Sequence, residues 1–82
     1  MTRILNRPAD VTTGRGGLPV SFRCGGARHR VRQVMDSWHE AGRWWEQESE
    51  TVTYRVATVD GGVFELTRNL ASNRWYLYKA YD

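Results

Sequence analysis

Thr51-Val52-Thr53-Tyr54-Arg55-Val56-Ala57-Thr58-Val59-Asp60-Gly61-Gly62-Val63-Phe64-Glu65-Leu66-Thr67-Arg68 reads as two strands folded on one turn. The first half is rich in β-branched residues, and Val52, Tyr54 and Val56 share one face by period-two alternation. Asp60-Gly61-Gly62 is a hairpin signal, because Asp-Gly suits the positive φ angles of a type I′ turn. Phe64 and Leu66 then face one way on the returning strand.

Working outward, the closing segment Arg74-Trp75-Tyr76-Leu77-Tyr78-Lys79-Ala80-Tyr81 is a third strand, entered through a turn at Ala71-Ser72-Asn73. Its aromatic residues fall on both faces, as expected of a strand that closes a barrel. Toward the N-terminus, Val20, Phe22 and Cys24 alternate with Ser21 and Arg23, the pattern of a half-buried strand. Gly25-Gly26 supplies a tight turn. Arg28 to Trp38 returns, with Val31 between Arg30 and Arg32. The phase slips at Gln33-Val34, so a β-bulge is expected there, bringing Val31, Val34 and Trp38 to one side. A helix competes over residues 32–40, but the clean alternation directly after the glycine turn favours a strand.

These readings predict an all-β fold, a five-stranded antiparallel meander curled into a small SH3-like or half-open barrel. Curling covers one face of the sheet and removes most of its exposed edge. Residues 1–17 contain Pro8, Gly14, Gly16 and Gly17 and little periodicity. They are expected to form a flexible N-terminal tail to a single β domain over 18–82. A chain of 82 residues has a thin core, and large rings fill such a core with few residues.

Charge is distributed unevenly. Residues 1–33 carry seven Arg and one acid, residues 34–65 carry two Arg and seven acids, and the whole chain has a net charge of +3. A basic segment can steer an anionic partner to one face. It can also neutralise the acidic segment on folding. On the first hairpin, Arg23, Arg28, Arg30 and Arg32 are the candidate nucleic-acid contacts. With strand alternation, Arg23, Arg30 and Arg32 are expected on one outward face, where guanidinium groups could hold a phosphate backbone of DNA or RNA.

The second candidate surface is Trp38-His39-Glu40-Ala41-Gly42-Arg43-Trp44-Trp45-Glu46, which holds three of the four tryptophans. Trp44 and Trp45 are adjacent, so an extended chain points them to opposite sides. Trp38, Arg43, Trp44 and Trp45 are therefore candidates for base stacking or for anchoring a protein partner.

Catalytic and metal chemistry finds little support. His29 and His39 lack ligand-spaced partners, and with Cys24 they do not complete a zinc set. Cys24 is in phase with Val20 and Phe22, which makes it a packing residue rather than a nucleophile paired with His29. Asp36, Glu40, Glu46 and Glu65 belong to no pairing motif. No phosphate-binding glycine loop or nucleophile elbow is present. The expectation is a non-enzyme without a cofactor. A lone cysteine forms no internal disulfide, and no apolar run is long enough for a signal peptide or a membrane span. A cytoplasmic protein with no membrane partner is expected.

Val20-Ser21-Phe22-Arg23, Gly42-Arg43-Trp44-Trp45-Glu46 after Trp38, Tyr54-Arg55-Val56, Phe64-Glu65-Leu66 and Trp75-Tyr76-Leu77-Tyr78-Lys79-Ala80-Tyr81-Asp82 resemble a family of small uncharacterised bacterial domains of the DUF6504 kind. The resemblance covers about residues 18–82. It implies a context of DNA repair or damage tolerance beside Y-family translesion polymerase-like proteins. A larger repair or polymerase protein is thus an expected partner. No residue inherits a catalytic role from it.

Overall fold

The computed structural model describes residues 2–42 and 49–81. Six strands follow in chain order: β1 (Thr2–Thr13), β2 (Pro19–Cys24), β3 (Ala27–Glu40), β4 (Thr51–Thr58), β5 (Val63–Asn69) and β6 (Arg74–Tyr81). Each pairs antiparallel with the next, and β1 also pairs with β6, which closes the barrel. The all-β reading holds, and residues 32–40 lie in β3 as a strand.

The strand count is corrected from five to six, and the half-open alternative gives way to closure. The tail expected over residues 1–17 is instead β1 and a single 3-10 turn at Arg15–Gly17. Thr2 to Ala9 pair with β6, and Asp10 to Thr13 pair with β2. β1 therefore satisfies the backbone groups of two neighbours that would otherwise be open edges. Leu5, Ala9 and Val11 pack against the core. Asn6 has φ 47, and the register slips between Ile4 and Arg7; the inward positions 5, 9 and 11 keep one parity, but position 7 between them is an exposed arginine.

β3 is divided in the same way. Its start pairs with β2, from Ala27 to Arg30, and its remainder with β4, from Val31 to Glu40. The two split strands carry the sheet around the corner, as barrel closure requires. The expected slip at Gln33-Val34 is present, since the register shifts between Val31 and Gln33. A second shift between Val34 and Asp36 was not anticipated. It returns the phase, so Val31 and Val34 face the core while Trp38 faces outward opposite Thr53. The expectation that all three share a side is corrected on that ground.

The core is Phe22, Val56, Leu66, Trp75 and Leu77, with Tyr54, Phe64 and Cys24 packed against it. Only Phe22, Leu66 and Val56 are sealed completely. Burying side chains of this size stabilises by about 1.5–3 kcal/mol each. In β2 the alternation holds from Phe22 onward, but Ser21 is buried and Val20 is exposed. In β6, Trp75 and Leu77 are buried and Tyr78 is exposed, which accounts for rings on both faces of a closing strand.

The turns follow their chemistry. Gly25 and Gly26 both have positive φ, 60 and 83, and join Cys24 directly to Ala27. That is the backbone a two-residue type I′ hairpin needs. The Asp60-Gly61 turn is of another kind: only Gly61 has positive φ, at 91. Gly61 N–H donates to Thr58 O, and Thr58 N–H donates to Gly62 O. This is a three-residue loop with a left-handed third position.

Candidate functional site

The outer surface of the barrel has two contrasting faces. On the β1–β2–β3 face, Arg23 lies directly opposite Arg28, Ser21 opposite Arg30, and Asp10 opposite Arg23 on the other side. Arg23, Arg28 and Arg30 therefore share one face, and all three are exposed. Arg28 replaces Arg32 in the expected trio, because the hairpin register sets it across from Arg23. Arg32 is also exposed but borders a different hollow, with Met35 and Val59. Among the described residues, none of these four arginines has an ion-pair partner. Two acids of the central segment are engaged by histidines: Asp60 Oδ2 lies 3.2 Å from His29 Nδ1, and Glu50 Oε2 lies 3.0 Å from His39 Nε2. A hollow of about 260 Å³ lies between Arg23, Arg28, Asp10, Thr12 and Ser21.

On the β3–β6 face the central arginine has an ion-pair partner and two ring contacts, although its Nε is buried without a hydrogen-bond partner. Arg55 lies across from Glu65, with Nη2 3.5 Å from Glu65 Oε2. Its guanidinium sits 5.3 Å from the Trp38 ring centre and 5.5 Å from that of Tyr81. The Tyr81 hydroxyl donates to the same Glu65 oxygen. Glu65 is only 3% exposed, and this pairing makes its burial tolerable. Burial opposes the charge on Arg55, but Tyr81 and Glu65 outweigh it and raise its pKa above the ordinary value. Sequence reasoning did not match Glu65 with Arg55. The signal was available: a short turn at residues 59–62 places Arg55 and Glu65 opposite each other.

Beside this cluster runs an open groove of about 680 Å³. Its floor carries Thr53 and Thr67, whose hydroxyls are 3.0 Å apart. Trp38, Tyr76, Tyr78 and Lys79 line it as well. Sequence reasoning chose Trp38 and missed the two tyrosines, which β6 alternation alone could have placed outward. Trp38 is half-buried, and its ring already bears Arg55. Arg43, Trp44 and Trp45 lie outside the described residues.

Cys24 and His29 each have another partner. Cys24 Sγ donates to Pro8 O at 3.7 Å, and His29 is taken by Asp60. His29 stacks on Phe22 with ring centres 5.0 Å apart. The Asp60 carboxyl accepts from the Thr58 hydroxyl and pairs with His29, and these bonds lower its pKa. Among the described residues no group of three His, Cys, Asp or Glu side chains is placed to hold a metal ion. Among the described residues no helix is long and apolar enough to cross a membrane.

The family of DUF6504, a domain of unknown function, matches residues 3–82, and the chain belongs to it. The match takes in β1 almost whole, which the resemblance read from the sequence left aside. No curated protein and no solved structure matches the chain.

Proposed function

We propose that this DUF6504 domain is a non-enzymatic binding module that holds a nucleic-acid backbone on the arginine face of β2 and β3. The observation that carries the reading is the direct cross-strand pairing of Arg23 with Arg28, with Arg30 one step along. Like charges set opposite each other on a sheet destabilise it. Asp10 lies across from Arg23 on its other side, but among the described residues no carboxylate comes within ion-pair distance of Arg23 or Arg28. A phosphate chain would supply the missing counter-charge, and guanidinium forks suit it.

The resemblance read from the sequence adds a setting: accessory work in DNA repair or damage tolerance, beside a larger repair or polymerase protein. A second reading, a protein adaptor docking through Trp38–Glu46, has less in its favour. The one residue of its tryptophan set within the described residues, Trp38, has a ring face occupied by Arg55.

Fluorescence-anisotropy titration of labelled DNA and RNA at two salt concentrations tests the proposal. Three phosphate contacts imply an affinity loss of about ten- to forty-fold between 50 and 200 mM salt. The Arg23→Ala/Arg28→Ala variant should lose binding while keeping its fold. Binding that ignores both salt and these arginines would reject the proposal.

A further inference from the structure

The arginine face and the groove are parts of one outward belt. Register alone traces it. Arg28 lies opposite Arg23, and Arg23 opposite Asp10. Two residues back along β1, on the same face, Pro8 lies opposite Tyr76. Tyr76 lies opposite Thr67, Thr67 opposite Thr53, and Thr53 opposite Trp38. Neighbouring strands are about 4.8 Å apart and residues on one face about 6.8 Å apart along a strand. Arg23 and Tyr76, two strands and two residues apart, are thus separated by about 12 Å.

The belt changes character along its length. Unpaired cations stand at one end, on β2 and β3. At the other, Tyr76, Tyr78 and Trp38 border a groove whose floor offers the Thr53 and Thr67 hydroxyls. Glu40 sits at the far end of this groove, where a carboxylate repels phosphate. Lys79 Nζ lies 5.6 Å from the Tyr78 ring centre, a cation placed beside a ring on the groove wall. A polyanion alone would have no use for ring walls, and an apolar peptide none for the unpaired arginines. A chain carrying phosphates on one side and flat rings on the other matches both.

We propose that the partner is a single-stranded nucleic acid. Its phosphates lie on Arg23 and Arg28, and its bases turn over β1 into the groove of β3–β6 and stack on Tyr76 and Tyr78. This inference rests on the phosphate-binding reading above and adds the strandedness and the base contacts. Single strands expose the ring faces that a duplex keeps stacked inside, and stacking on aromatic side chains tolerates any base. The hydroxyls of Thr53 and Thr67 then face base edges rather than the backbone.

The test titrates the full chain against labelled twelve-nucleotide oligothymidylate, oligouridylate and a twelve-base-pair duplex. The expected result is single-strand affinity at least ten times the duplex affinity. Preference for the deoxy or the ribo strand then identifies the source. Tyr76→Ala should weaken single-strand binding about five- to a hundred-fold, the range for losing one stacked base, and leave duplex binding unchanged. Tyr78→Ala removes an already exposed ring and should act in the same direction. It remains informative if Tyr76→Ala fails to fold. Arg23→Ala/Arg28→Ala should weaken both forms together. Equal affinity for single strand and duplex, with both tyrosine variants silent, overturns the single-strand inference and leaves the phosphate site standing. Absence of all binding removes both.

Discussion

Two faces of the same small barrel treat arginine in opposite ways. On β4 and β5, Arg55 is enclosed by Glu65, Trp38 and Tyr81, and removing it would strand a buried carboxylate. On β2 and β3, Arg23 and Arg28 confront each other with no ion-pair partner among the described residues. The first arrangement stabilises the fold. The second sets like charges across two strands, an arrangement that destabilises a sheet unless a counter-charge offsets it. Counting arginines along the chain does not separate these roles. Only the register does.

The strand shared by both faces gives the largest test. Deleting residues 2–9 removes the half of β1 that pairs with β6. The barrel then reopens, and cooperative unfolding in urea should disappear. A truncated chain that unfolds with an unchanged midpoint would restore the view of this segment as a tail. Next comes the enclosed arginine. Arg55→Met keeps the hydrophobic stem but leaves the buried Glu65 without its ion-pair partner, and should destabilise the fold in chemical denaturation by more than an exposed pair is worth. A loss under about 1 kcal/mol is what an ordinary surface pair would give.

On the other face the sign reverses. Arg28→Glu converts a like-charge cross-strand pair into an opposite-charge one, and should raise stability by about 0.2–1 kcal/mol while abolishing nucleic-acid binding. Loss of stability would mean that Arg28 has a structural partner after all. The smallest effect concerns acid. The Asp60 carboxyl, held chiefly by the Thr58 hydroxyl and then by His29, has its pKa lowered from the usual 3.8. A depressed carboxyl stabilises the fold above its unfolded value and loses that contribution as pH falls through the folded one. The stability gap between the native chain and Asp60→Asn at pH 7 should therefore shrink below pH 3.8. A gap that widens in acid would contradict the assignment.

Much of the fold was legible because it is written in local chemistry. Gly25-Gly26 and Asp60-Gly61-Gly62 mark hairpins, and strands beside tight turns pair with near neighbours in sequence. β1 was not legible. Its partner β6 lies at the other end of the chain, and Arg7 interrupts the inward series Leu5, Ala9 and Val11. Pro8 also argues locally against a strand, yet it is tolerated near the point where β1 leaves β6 for β2.

The candidate site divides along the same line. That the first hairpin is basic is plain from Arg23, Arg28, Arg30 and Arg32. That Arg28 rather than Arg32 joins Arg23 depends on a two-residue turn fixing the register at Cys24 and Ala27. The outward turn of Trp38 depends on a second bulge at Val34–Asp36, and nothing in the apolar pattern signals it. Alternation along β6 could have placed Tyr76 outward, but its standing across β1 from Arg23 follows from barrel closure, a long-range event.

The central claim is that the unpaired arginine face awaits phosphate. The most direct measurement is the salt dependence of anisotropy binding to a labelled single strand, made in parallel on the native chain and on Arg23→Ala/Arg28→Ala. The account predicts a steep fall in affinity with salt for the native chain and little residual binding in the variant. Binding of equal strength in the two proteins, with the same response to salt, would contradict it.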